Sequence, residues 1–378
     1  MPAEARTYII VNGIGDQVVS FRGSLARALV ERGHRVIVST PVPVERGADE
    51  IEAEVRALGA QCVFSPLDRT GINPLRERET RRHFRALFAS VRPDGVFASN
   101  PKPVFHAIPA AAETGVPRRV AMITGLGHAF IARTLRARLL RLAAVRLYRR
   151  AMRDATGVLF QNGADRLEFE RLGLLPASLA VGMTGGSGVD LARFAQVPVP
   201  PAPVFLMVAR LLGDKGVREF AEAARLVREH RSDCRFRLAG WIDANPAAIR
   251  REELDGWIRE GLLEYAGRLD DVRAELAACS VFVLPSYREG TPKSTLEALA
   301  TGRAVITTDA PGCRETVERG VNGVLVPPRD ARALAEACLR FAPDAALRER
   351  MGAASRALAE RRFDARAVNA AIIEALGA

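Results

Sequence analysis

The sequence predicts an α/β protein built from two doubly wound parallel-sheet domains. Short apolar runs, each as long as a buried strand, alternate with longer segments of helical periodicity along the whole chain. The 378 residues are enough for two domain cores of ordinary size. A proline-rich segment, Pro198-Val-Pro-Pro-Ala-Pro203, divides the pattern into two similar halves and is typical of a linker.

Six strands are predicted in each half, with helices such as Phe21–Arg32, which Gly33 ends, between them. We therefore expect an N-terminal domain over residues 1–195 and a C-terminal domain over residues 203–361. The predicted strands lie near 7–12, 35–40, 61–65, 94–99, 119–124 and 157–161 in the first half, and near 204–209, 235–240, 263–266, 281–285, 304–307 and 323–326 in the second.

Composition and charge restrict the class of protein. No apolar run approaches the roughly 20 residues that a membrane-spanning helix needs, and the N-terminus lacks the layout of a signal peptide. Five scattered cysteines are interpreted as reduced thiols of a cytoplasmic protein. The net charge of +11 is compatible with nucleic acid, anionic lipid or phosphate-bearing substrates.

The positive charge is concentrated in one segment, residues 133–153, which contains no acidic residue. Its arginines alternate with leucines, which predicts a basic amphipathic helix, either continuous or broken into two. Such a helix suits a membrane surface with anionic lipid. A scaffold helix with a solvated arginine face is the alternative. The arginines are Arg133, Arg136, Arg138, Arg141, Arg146, Arg149, Arg150 and Arg153.

The segment from Val281 to Glu297 predicts a strand, a turn and a helix. Thr291 suits the N-cap, Pro292 the first helical position, and Gly302 the C-terminal cap. A helix start of this kind attracts a phosphate or diphosphate. Glu289 and Glu297 could accept hydrogen bonds from hydroxyl groups on either side of it. A diphosphate with polyols at both ends is a nucleotide sugar.

Two cations follow the predicted strand 204–209. Arg210 and Lys215 would lie at its carboxyl end, where open α/β sheets bind ligands. There they could neutralise a departing diphosphate, because stabilisation of developing charge is usually a large catalytic term. A basic surface loop is the alternative.

Glycine-rich loops in the first half supply further candidates. The loop Asn12-Gly-Ile-Gly15 lacks the third glycine of a dinucleotide fingerprint, because position 18 is valine. It is interpreted as a flexible loop at the cleft between the two domains rather than a nicotinamide site, or as a tight strand-to-helix turn. His128 lies in the segment Thr124-Gly-Leu-Gly-His-Ala-Phe130 and is a candidate contact to the acceptor or the donor sugar. The alternative is an ordinary histidine in a loop. Lys102 and His106 are weaker candidates.

Taken together, Glu289-Gly-x-Pro-x4-Glu297-Ala and Arg210-x4-Lys215-Gly resemble the donor site of retaining GT-B glycosyltransferases of family four. The resemblance covers nearly the whole chain. It is nearest to bacterial PglA-like N-acetylhexosaminyltransferases that act on undecaprenyl-diphosphate-linked sugars. Four passages carry this narrower resemblance: Gly125-Leu-Gly127, Ala209–Phe220, Trp241–Pro246 and Pro285–Gly290. Trp241 stands where a smaller residue is expected, which leaves the donor sugar open.

The resemblance implies transfer of a sugar, favoured as N-acetylgalactosamine or another N-acetylhexosamine, from a UDP-sugar. The acceptor would be an undecaprenyl-diphosphate-linked mono- or oligosaccharide of bacterial O-antigen, capsule or protein glycosylation. Transfer would retain the anomeric configuration and require no metal or other cofactor. No Asp-x-Asp metal motif stands out, since Asp270 and Asp271 are adjacent rather than spaced.

The resemblance also implies roles for individual residues. Arg210 and Lys215 would bind the diphosphate. Glu289 would hold sugar hydroxyls at the reacting face, and Glu297 the ribose hydroxyls. The remaining donor-binding candidates are Gly290 and Thr291, the amides near Ser294 and Thr295, and Gly13 and Gly15 approaching from the other domain.

A GT-B enzyme has two Rossmann-like domains facing across a cleft, and its C-terminal helix, here 362–378, commonly crosses back to the first domain. Domain closure would exclude water and limit hydrolysis of the donor. The acceptor would enter along the first domain with its lipid tail in the membrane. The helix over 133–153 would rest on the anionic cytoplasmic face of the inner membrane, so that the protein is cytoplasmic and peripherally membrane-associated.

Four other functions are alternatives to sugar transfer onto an undecaprenyl-diphosphate-linked acceptor. A glycosyltransferase with another acceptor, in exopolysaccharide synthesis, remains open. A GT-B UDP-sugar epimerase also remains, although no set of acid/base carboxylates for elimination is recognised. A nucleic-acid-binding role is disfavoured, because aromatic residues are only 6% of the chain and no nucleic-acid motif occurs. A sugar-nucleotide sensor is disfavoured by the presence of both glutamates and both cations.

Overall fold

Two parallel β-sheets organise the chain in the computed structural model, which describes residues 5–68, 71, 73–126, 130, 135–242 and 247–378. The contacts divide the chain into two units: residues 1–187 together with 365–378, and residues 188–364. Each unit has its own sheet and its own hydrophobic core. The predicted class, two doubly wound parallel-sheet domains, is therefore confirmed.

The described part of the first unit contains seven strands and seven helices. Its strands are β1 Thr7–Asn12, β2 Arg35–Pro41, β3 Gln61–Ser65, β4 Gly95–Ser99, β5 Arg118–Ile123, β6 Gly157–Phe160 and β7 Ala180–Met183. Its helices are α1 Val18–Glu31, α2 Ala48–Ala57, α3 Pro74–Val91, α4 Pro101–Glu113, α5 Leu135–Asp154, α6 Gly163–Arg171 and, at the end of the chain, α13 Ala365–Leu376.

The described part of the second unit contains six strands and six helices. Its strands are β8 Val204–Val208, β9 Arg235–Ala239, β10 Glu264–Gly267, β11 Val281–Leu284, β12 Ala304–Thr308 and β13 Gly323–Val326. Its helices are α7 Val217–Arg228, α8 Arg251–Arg259, α9 Arg273–Ala278, α10 Lys293–Ala300, α11 Ala331–Phe341 and α12 Ala345–Arg362.

Both sheets reverse their strand order at the centre. The first has the order β3-β2-β1-β4-β5-β6-β7 and the second β10-β9-β8-β11-β12-β13, and the neighbouring strands run parallel. The order therefore reverses between β1 and β4, and again between β8 and β11. Open α/β sheets bind ligands outside the carboxyl ends of their strands at such a reversal.

The sequence does not predict β7. This strand, Ala180–Met183, pairs only with β6 at the edge of the sheet, and most of its residues are exposed. It contains a glycine and no continuous apolar run, so it lacks the pattern that marks the buried strands. The other strands of both sheets lie where their apolar runs predict them.

The first sheet is covered on both faces. Ile9 and Val11 of β1 pack in a core with α3, α4 and α5, whereas Ile10 packs on the opposite face with α1. Helix α13 lies on that second face and contacts α1 and β5. Its inward side chains, Val368, Ile372, Ile373 and Leu376, are buried there.

The division between the units lies before the proline-rich segment rather than within it. Two buried arginines fasten that segment to the second unit. Arg303 donates to the carbonyl of Pro198 at 3.0 Å, and Arg348 to that of Pro201 at 2.5 Å. The first unit accordingly ends at residue 187 rather than 195. At its other end the second unit reaches residue 364, because α12 continues to Arg362 and the last helix begins only at Ala365.

Candidate active site

The carboxyl ends of β8 and β11 bring together the residues of the predicted donor site. Arg210 and Lys215 follow β8, and the segment Pro285–Thr291 follows β11, the neighbouring strand. This is the point where the strand order of the second sheet reverses. The location agrees with the general position of ligand sites in open α/β sheets.

Lys215 and Glu289 form an ion pair at this edge. The distance between Lys215 Nζ and Glu289 Oε1 is 2.5 Å, and only 17% and 14% of the two side chains are exposed. Gly216 makes the approach possible, since its φ of 78° is in the left-handed region and a Cβ there would lie 2.3 Å from the carbonyl oxygen of Pro285. Two of the three predicted catalytic side chains are thus in direct contact.

The backbone of residues 285–290 is held from two sides. The amide of Tyr287 donates to the carbonyl of Asp214 at 2.9 Å, and the amide of Glu289 to that of Pro311 at 2.9 Å. Gly312 lies so close that a Cβ on it would be 2.2 Å from the carbonyl oxygen of Glu289. This part of the site is therefore fixed by the neighbouring loops before any ligand binds.

Tyr287 is a residue of the site that the sequence did not single out. Its hydroxyl donates to Glu219 Oε1 at 2.6 Å, and the guanidinium of Arg329 lies 4.7 Å from its ring centroid. Burial, followed by the Glu219 carboxylate, raises the pKa of Tyr287 well above its ordinary value. The tyrosine therefore stays protonated and anchors the segment that carries Glu289 to α7. Its position two residues before Glu289 was the only available signal.

The start of α10 differs from the prediction by one residue. Pro292, with φ of −71° and ψ of 118°, is the N-cap, and the helix begins at Lys293. Thr291 is not the cap, because its hydroxyl donates to the carbonyl of Gly290 at 3.0 Å. The amide of Thr295 donates to the carbonyl of Pro292 at 3.1 Å. Ser294 therefore remains the better candidate for an amide that faces a phosphate, because the first-turn amides have no partner within a helix.

Two hydroxyls beside this helix start are buried without a hydrogen-bond partner among the described residues. They are Ser286 Oγ and Thr295 Oγ1. Buried polar atoms are usually satisfied, and an exception calls for an explanation. Both residues flank the segment that carries Glu289, so a bound ligand or water is a reasonable partner.

Glu297 lies on the second turn of α10 and is largely buried. Its carboxylate is 3.8 Å from the ammonium group of Lys293, one turn earlier. Burial raises the pKa of Glu297, and the Lys293 charge opposes this effect without cancelling it. Glu297 thus keeps its proton to a higher pH than an exposed glutamate does.

Arg210 lies two residues after the end of β8 and is half-buried. Next to it, Gly240 has a φ of 148°, and a Cβ there would be only 1.8 Å from the carbonyl oxygen of Ala209. Trp241 follows, its carbonyl accepts from the amide of Leu211 at 2.9 Å, and Arg268 lies 5.1 Å from its ring centroid. The tryptophan therefore borders the same edge of the sheet as the two cations.

The glycines of the first unit have different environments. Gly15 is buried against β2, where a Cβ would lie 2.4 Å from the carbonyl oxygen of Pro41, which favours the tight-turn interpretation for this residue. Gly13 donates its amide to Asn100 Oδ1 at 3.2 Å. A contact from either glycine to the donor stays a prediction, and His128 lies outside the described residues.

The weaker candidates Lys102 and His106 share one carboxylate. Lys102 forms an ion pair with Glu77, and His106 Nε2 lies 2.5 Å from the other oxygen of the same carboxylate. Burial acts to raise the pKa of Glu77, but the hydrogen bonds to His106 and Lys102 outweigh it, so that this pKa is lowered. This cluster joins α3 to α4, which is a sufficient structural reason for it.

Helix α5 carries most of the predicted basic segment, while residues 133 and 134 lie outside the described residues. At 3.6 residues per turn, its three most exposed leucines and several arginines fall on one face. Leu135, Leu139 and Leu142 are 77%, 68% and 54% exposed. That face consists of Leu135, Arg138, Leu139, Leu142, Arg146, Arg149 and Arg153.

Two other arginines of α5 serve the scaffold. Arg141 pairs with Glu168 at 2.6 Å and Arg150 with Glu113 at 3.0 Å. Arg138 and Arg146, by contrast, form no ion pair with a described residue. The scaffold interpretation therefore holds for Arg141 and Arg150, whereas the membrane interpretation stays a prediction for the exposed face.

Membrane-spanning helices and clusters of metal-ligating side chains are both absent from the part of the chain that the structure describes. No helix in this part of the chain is both long and apolar enough to cross a membrane. In the same residues, no group of three or more His, Cys, Asp and Glu side chains is arranged to hold a metal ion.

Comparison with known proteins gives matches over most of the chain. The family profile "Glycosyl transferases group 1" matches residues 202–344, within the second unit. The profile "Glycosyl transferase 4-like domain" matches residues 18–181, within the first unit.

Individual relatives agree with the profiles. The chain is 28% identical over 348 residues to the N,N'-diacetylbacillosaminyl-diphospho-undecaprenol alpha-1,3-N-acetylgalactosaminyltransferase of Campylobacter jejuni, with 88% of this chain and 89% of that protein covered. It is 30% identical to the amylovoran biosynthesis glycosyltransferase AmsK of Erwinia amylovora over 36% of this chain and 35% of that protein.

Among solved structures, Anabaena Alr3699/HepE in complex with UDP superimposes with a TM-score of 0.77 at 18% identity, and 98% of this chain and 99% of that chain are covered. At this identity the similarity shows the fold alone. The two profiles show that the chain belongs to the glycosyltransferases, with a 4-like domain in its first unit and a group 1 domain in its second, and the structural similarity agrees with the predicted GT-B fold.

Proposed function

We propose that this glycosyltransferase acts in bacterial polysaccharide assembly and transfers an N-acetylhexosamine, favoured as N-acetylgalactosamine, from a UDP-sugar to an undecaprenyl-diphosphate-linked saccharide. The observation that carries the proposal is the Lys215–Glu289 pair at the strand-order reversal of the second sheet. The pair places a cation beside a carboxylate. The diphosphate of a nucleotide sugar would bind the cation, and the sugar hydroxyls would donate to the carboxylate.

The donor and the acceptor are supported by the relatives. The fold neighbour from Anabaena binds UDP, and the relative from Campylobacter jejuni uses a diphospho-undecaprenol acceptor and transfers N-acetylgalactosamine. Because that relative aligns over 88% of this chain, the comparison includes both units. The relative from Erwinia amylovora supports polysaccharide synthesis more broadly.

In the proposed reaction the acceptor hydroxyl oxygen forms a bond to the anomeric carbon, and the bond from that carbon to the diphosphate oxygen breaks. The acceptor proton leaves with the departing UDP or passes to solvent. Arg210 and Lys215 stabilise the negative charge on the diphosphate. Glu289 accepts hydrogen bonds from the sugar hydroxyls, and Glu297 from the ribose hydroxyls. Retention of configuration and independence of metal belong to the proposal.

We place the enzyme at an anionic membrane surface through the exposed face of α5. Its leucines lie in the N-terminal half of the helix, and Arg146, Arg149 and Arg153 in the C-terminal half. An apolar and a cationic section on one face suit a bilayer with anionic headgroups. A lipid-linked acceptor would be presented at the same surface.

The experiment is release of UDP by the purified full chain from a panel of UDP-sugars. Each donor is tested in the presence of EDTA, with and without a detergent-solubilised undecaprenyl-diphosphate-linked saccharide. Glu289→Ala is the site variant, and Glu253→Ala, which breaks a surface pair with Arg218, is its control. We expect acceptor-dependent release from one donor that only Glu289→Ala abolishes.

Other outcomes would change the proposal. Transfer only to a different saccharide acceptor would favour exopolysaccharide synthesis. Isomerisation of the UDP-sugar without transfer would indicate an epimerase. Loss of activity with EDTA, restored by a divalent cation, would refute metal independence, and an inverted anomeric signal in the NMR spectrum of the product would refute retention.

A further inference from the structure

Asn100 occupies a backbone conformation that is unusual for its residue type. It follows β4 at the strand-order reversal of the first sheet, with φ of 78° and ψ of 155°. This region is almost restricted to glycine, and other residues enter it at a cost in free energy. The ψ value suits a residue before Pro101, but the positive φ is not explained by the proline. Strain of this kind is a reason to look for a function.

Helix capping does not account for the asparagine. Asn100 is the N-cap residue of α4, a position where asparagine is common because its side chain accepts a hydrogen bond from the first turn. Here the side chain makes no such bond. Only its carbonyl serves the helix, accepting from the amide of Val104 at 3.2 Å, and any residue could supply that carbonyl.

The side chain instead joins two loops at the same edge of the sheet. Asn100 Oδ1 accepts from the amide of Gly13 at 3.2 Å, and Asn100 Nδ2 donates to Thr124 Oγ1 at 3.0 Å. Gly13 follows β1 and Thr124 follows β5, the strands on either side of β4. One amide group thus links Gly13, Asn100 and Thr124, which follow three adjacent strands.

The loop after β1 is held closely in this arrangement. A Cβ on Gly13 would lie 3.3 Å from Asn100 Cβ and 3.2 Å from Pro103 Cδ. In the same loop, the amide of Ile14 donates to Asn12 Oδ1 at 2.9 Å, and Asn12 Nδ2 donates to Ser99 Oγ at 3.2 Å. Asn100 is therefore one member of a continuous network that determines the shape of this edge.

We propose that Asn100 is a positioning residue for sugar transfer, which holds Gly13 and Thr124 in the arrangement that the acceptor requires. The inference rests on the proposed glycosyltransferase function. Glycine would adopt the same backbone without strain, so it is the amide group that accounts for an asparagine here. Asn100 acts through its hydrogen bonds to Gly13 and Thr124, so its role is positioning rather than catalytic.

The test uses four variants of the full chain. Asn100→Gly relieves the strain and removes both hydrogen bonds, and Thr124→Val removes one of them without changing the backbone. Asn100→Gly/Thr124→Val completes a double-mutant cycle. Arg92→Gly is the control, because Arg92 also has a positive φ (51°) but lies at the C-cap of α3. Measurements are Tm, the Kd of UDP by calorimetry, and kcat and KM for the acceptor.

We expect Asn100→Gly to keep a Tm at or near that of the wild type and an unchanged Kd for UDP. Its kcat/KM for the acceptor should fall by about tenfold or more, since small displacements of positioning groups are costly. The kcat/KM of Thr124→Val should also fall. That of the double variant should be no lower than that of Asn100→Gly alone. Arg92→Gly should retain wild-type kinetics.

Two results would overturn the inference. The first is wild-type kcat/KM in Asn100→Gly. The second is a loss of activity that follows the fraction of unfolded protein, as a purely structural role would produce. If Asn100→Gly does not fold, Thr124→Val with wild-type kinetics overturns it as well. A wild-type chain that transfers no sugar refutes the proposed function instead, so the two failures are distinguishable.

Discussion

Lys215 and Glu289 form an ion pair with 2.5 Å between Nζ and Oε1, although 74 positions separate them in the sequence. In the absence of a ligand each compensates the charge of the other in a largely buried environment. A sugar diphosphate would compete with Glu289 for the ammonium group and offer its hydroxyls to the carboxylate. Variants of the two partners should therefore affect UDP binding in opposite directions.

Glu289→Gln removes the charge and keeps the shape of the side chain. It should lower kcat by about 10²- to 10³-fold, the size expected when an electrostatic contact to the transition state is lost. UDP should bind equally well or more tightly, because Lys215 no longer shares its charge. Steady-state kinetics and calorimetry measure the two effects. The control Glu253→Gln removes a carboxylate that pairs with Arg218 and should change neither kcat nor UDP affinity. Wild-type kcat in Glu289→Gln would contradict the catalytic role of Glu289.

Lys215→Met should weaken UDP binding by roughly 10- to 100-fold, because a charge-assisted hydrogen bond contributes about 1.5–3 kcal/mol. It should also lower the free energy of unfolding, since Glu289 is left mostly buried without its cation. Adding Glu289→Gln should restore part of the stability but not the UDP affinity. Calorimetry and urea unfolding provide the data. Unchanged UDP affinity in Lys215→Met would remove this lysine from the diphosphate site.

Tyr287→Phe tests the anchor of the segment that carries Glu289. The variant leaves Glu219 Oε1 without its 2.6 Å donor, while Glu219 Oε2 is already buried without a partner among the described residues. The free energy of unfolding should fall by about 1–3 kcal/mol. The KM for the UDP-sugar should rise, because the segment after β11 is no longer fixed. Tyr287→Phe with Glu219→Leu should recover stability in a thermal scan, and no recovery would argue against the unsatisfied carboxylate as the cause.

The sheets and the donor segment could be predicted because buried parallel strands leave continuous apolar runs. Once β8 and β11 are recognised, the residues after them must meet at one edge, which is how Lys215 and Glu289 come together. The start of α10 was predicted one residue early. Threonine is a preferred N-cap residue, but the hydroxyl of Thr291 donates to the carbonyl of Gly290 instead. Residue preferences do not reveal a local hydrogen bond of this kind.

Buried polar groups could not be predicted, because charged residues are normally exposed. Arg22 is buried beside Ser99 and over the ring of Phe97, and burial lowers its pKa to about 10. Arg303 and Arg348 are buried against backbone carbonyls, and they displace the unit boundary from the proline segment. The net charge of +11 therefore overstates the charge that the surface presents.

The raised pKa of Glu297 predicts opposite effects on stability and binding. Because the folded chain holds this proton more tightly than the unfolded chain, stability declines as the pH rises from the ordinary value of 4.5 to the folded pKa. Glu297→Gln should thus have a higher Tm than the wild type at pH 8, and the difference should vanish towards pH 4.5. UDP affinity should increase more steeply with pH in the wild type than in Glu297→Gln, because ionised Glu297 accepts the ribose hydroxyls, whereas ionisation of the terminal phosphate of UDP at about pH 6 affects both.

Glu264→Gln is a control of opposite sign for that experiment. Hydrogen bonding to Arg235 lowers the pKa of Glu264 in the folded chain. The ionised carboxylate therefore contributes to stability above the ordinary pKa of 4.5, and this contribution is lost as the pH falls through the folded pKa. Glu264→Gln should therefore be less stable than the wild type at pH 8, by a modest amount because the pair is partly exposed. If Glu297→Gln is also less stable than the wild type at pH 8, burial is not the dominant influence on the pKa of Glu297.

The exposed face of α5 gives the last prediction. Arg138 and Arg146 form no ion pair with a described residue, so their charges are available to anionic headgroups. At about 1 kcal/mol each, Arg138→Gln/Arg146→Gln should weaken binding to phosphatidylglycerol-containing vesicles by roughly 30-fold. Leu139→Ser should weaken it at high salt as well, because the apolar contribution is not screened. Vesicle cosedimentation at two salt concentrations measures both.

The control for this experiment removes the same charge from the second unit, with Arg259→Gln/Arg340→Gln, two exposed helical arginines. If net charge alone drives vesicle binding, the two double variants should weaken it equally. If α5 is the contact surface, only Arg138→Gln/Arg146→Gln should weaken it, and UDP release from the donor with a detergent-solubilised acceptor should remain at the wild-type rate in both. Equal loss in the two variants would exclude α5 as the specific membrane contact and leave the scaffold role that its pairs with Glu113 and Glu168 already explain.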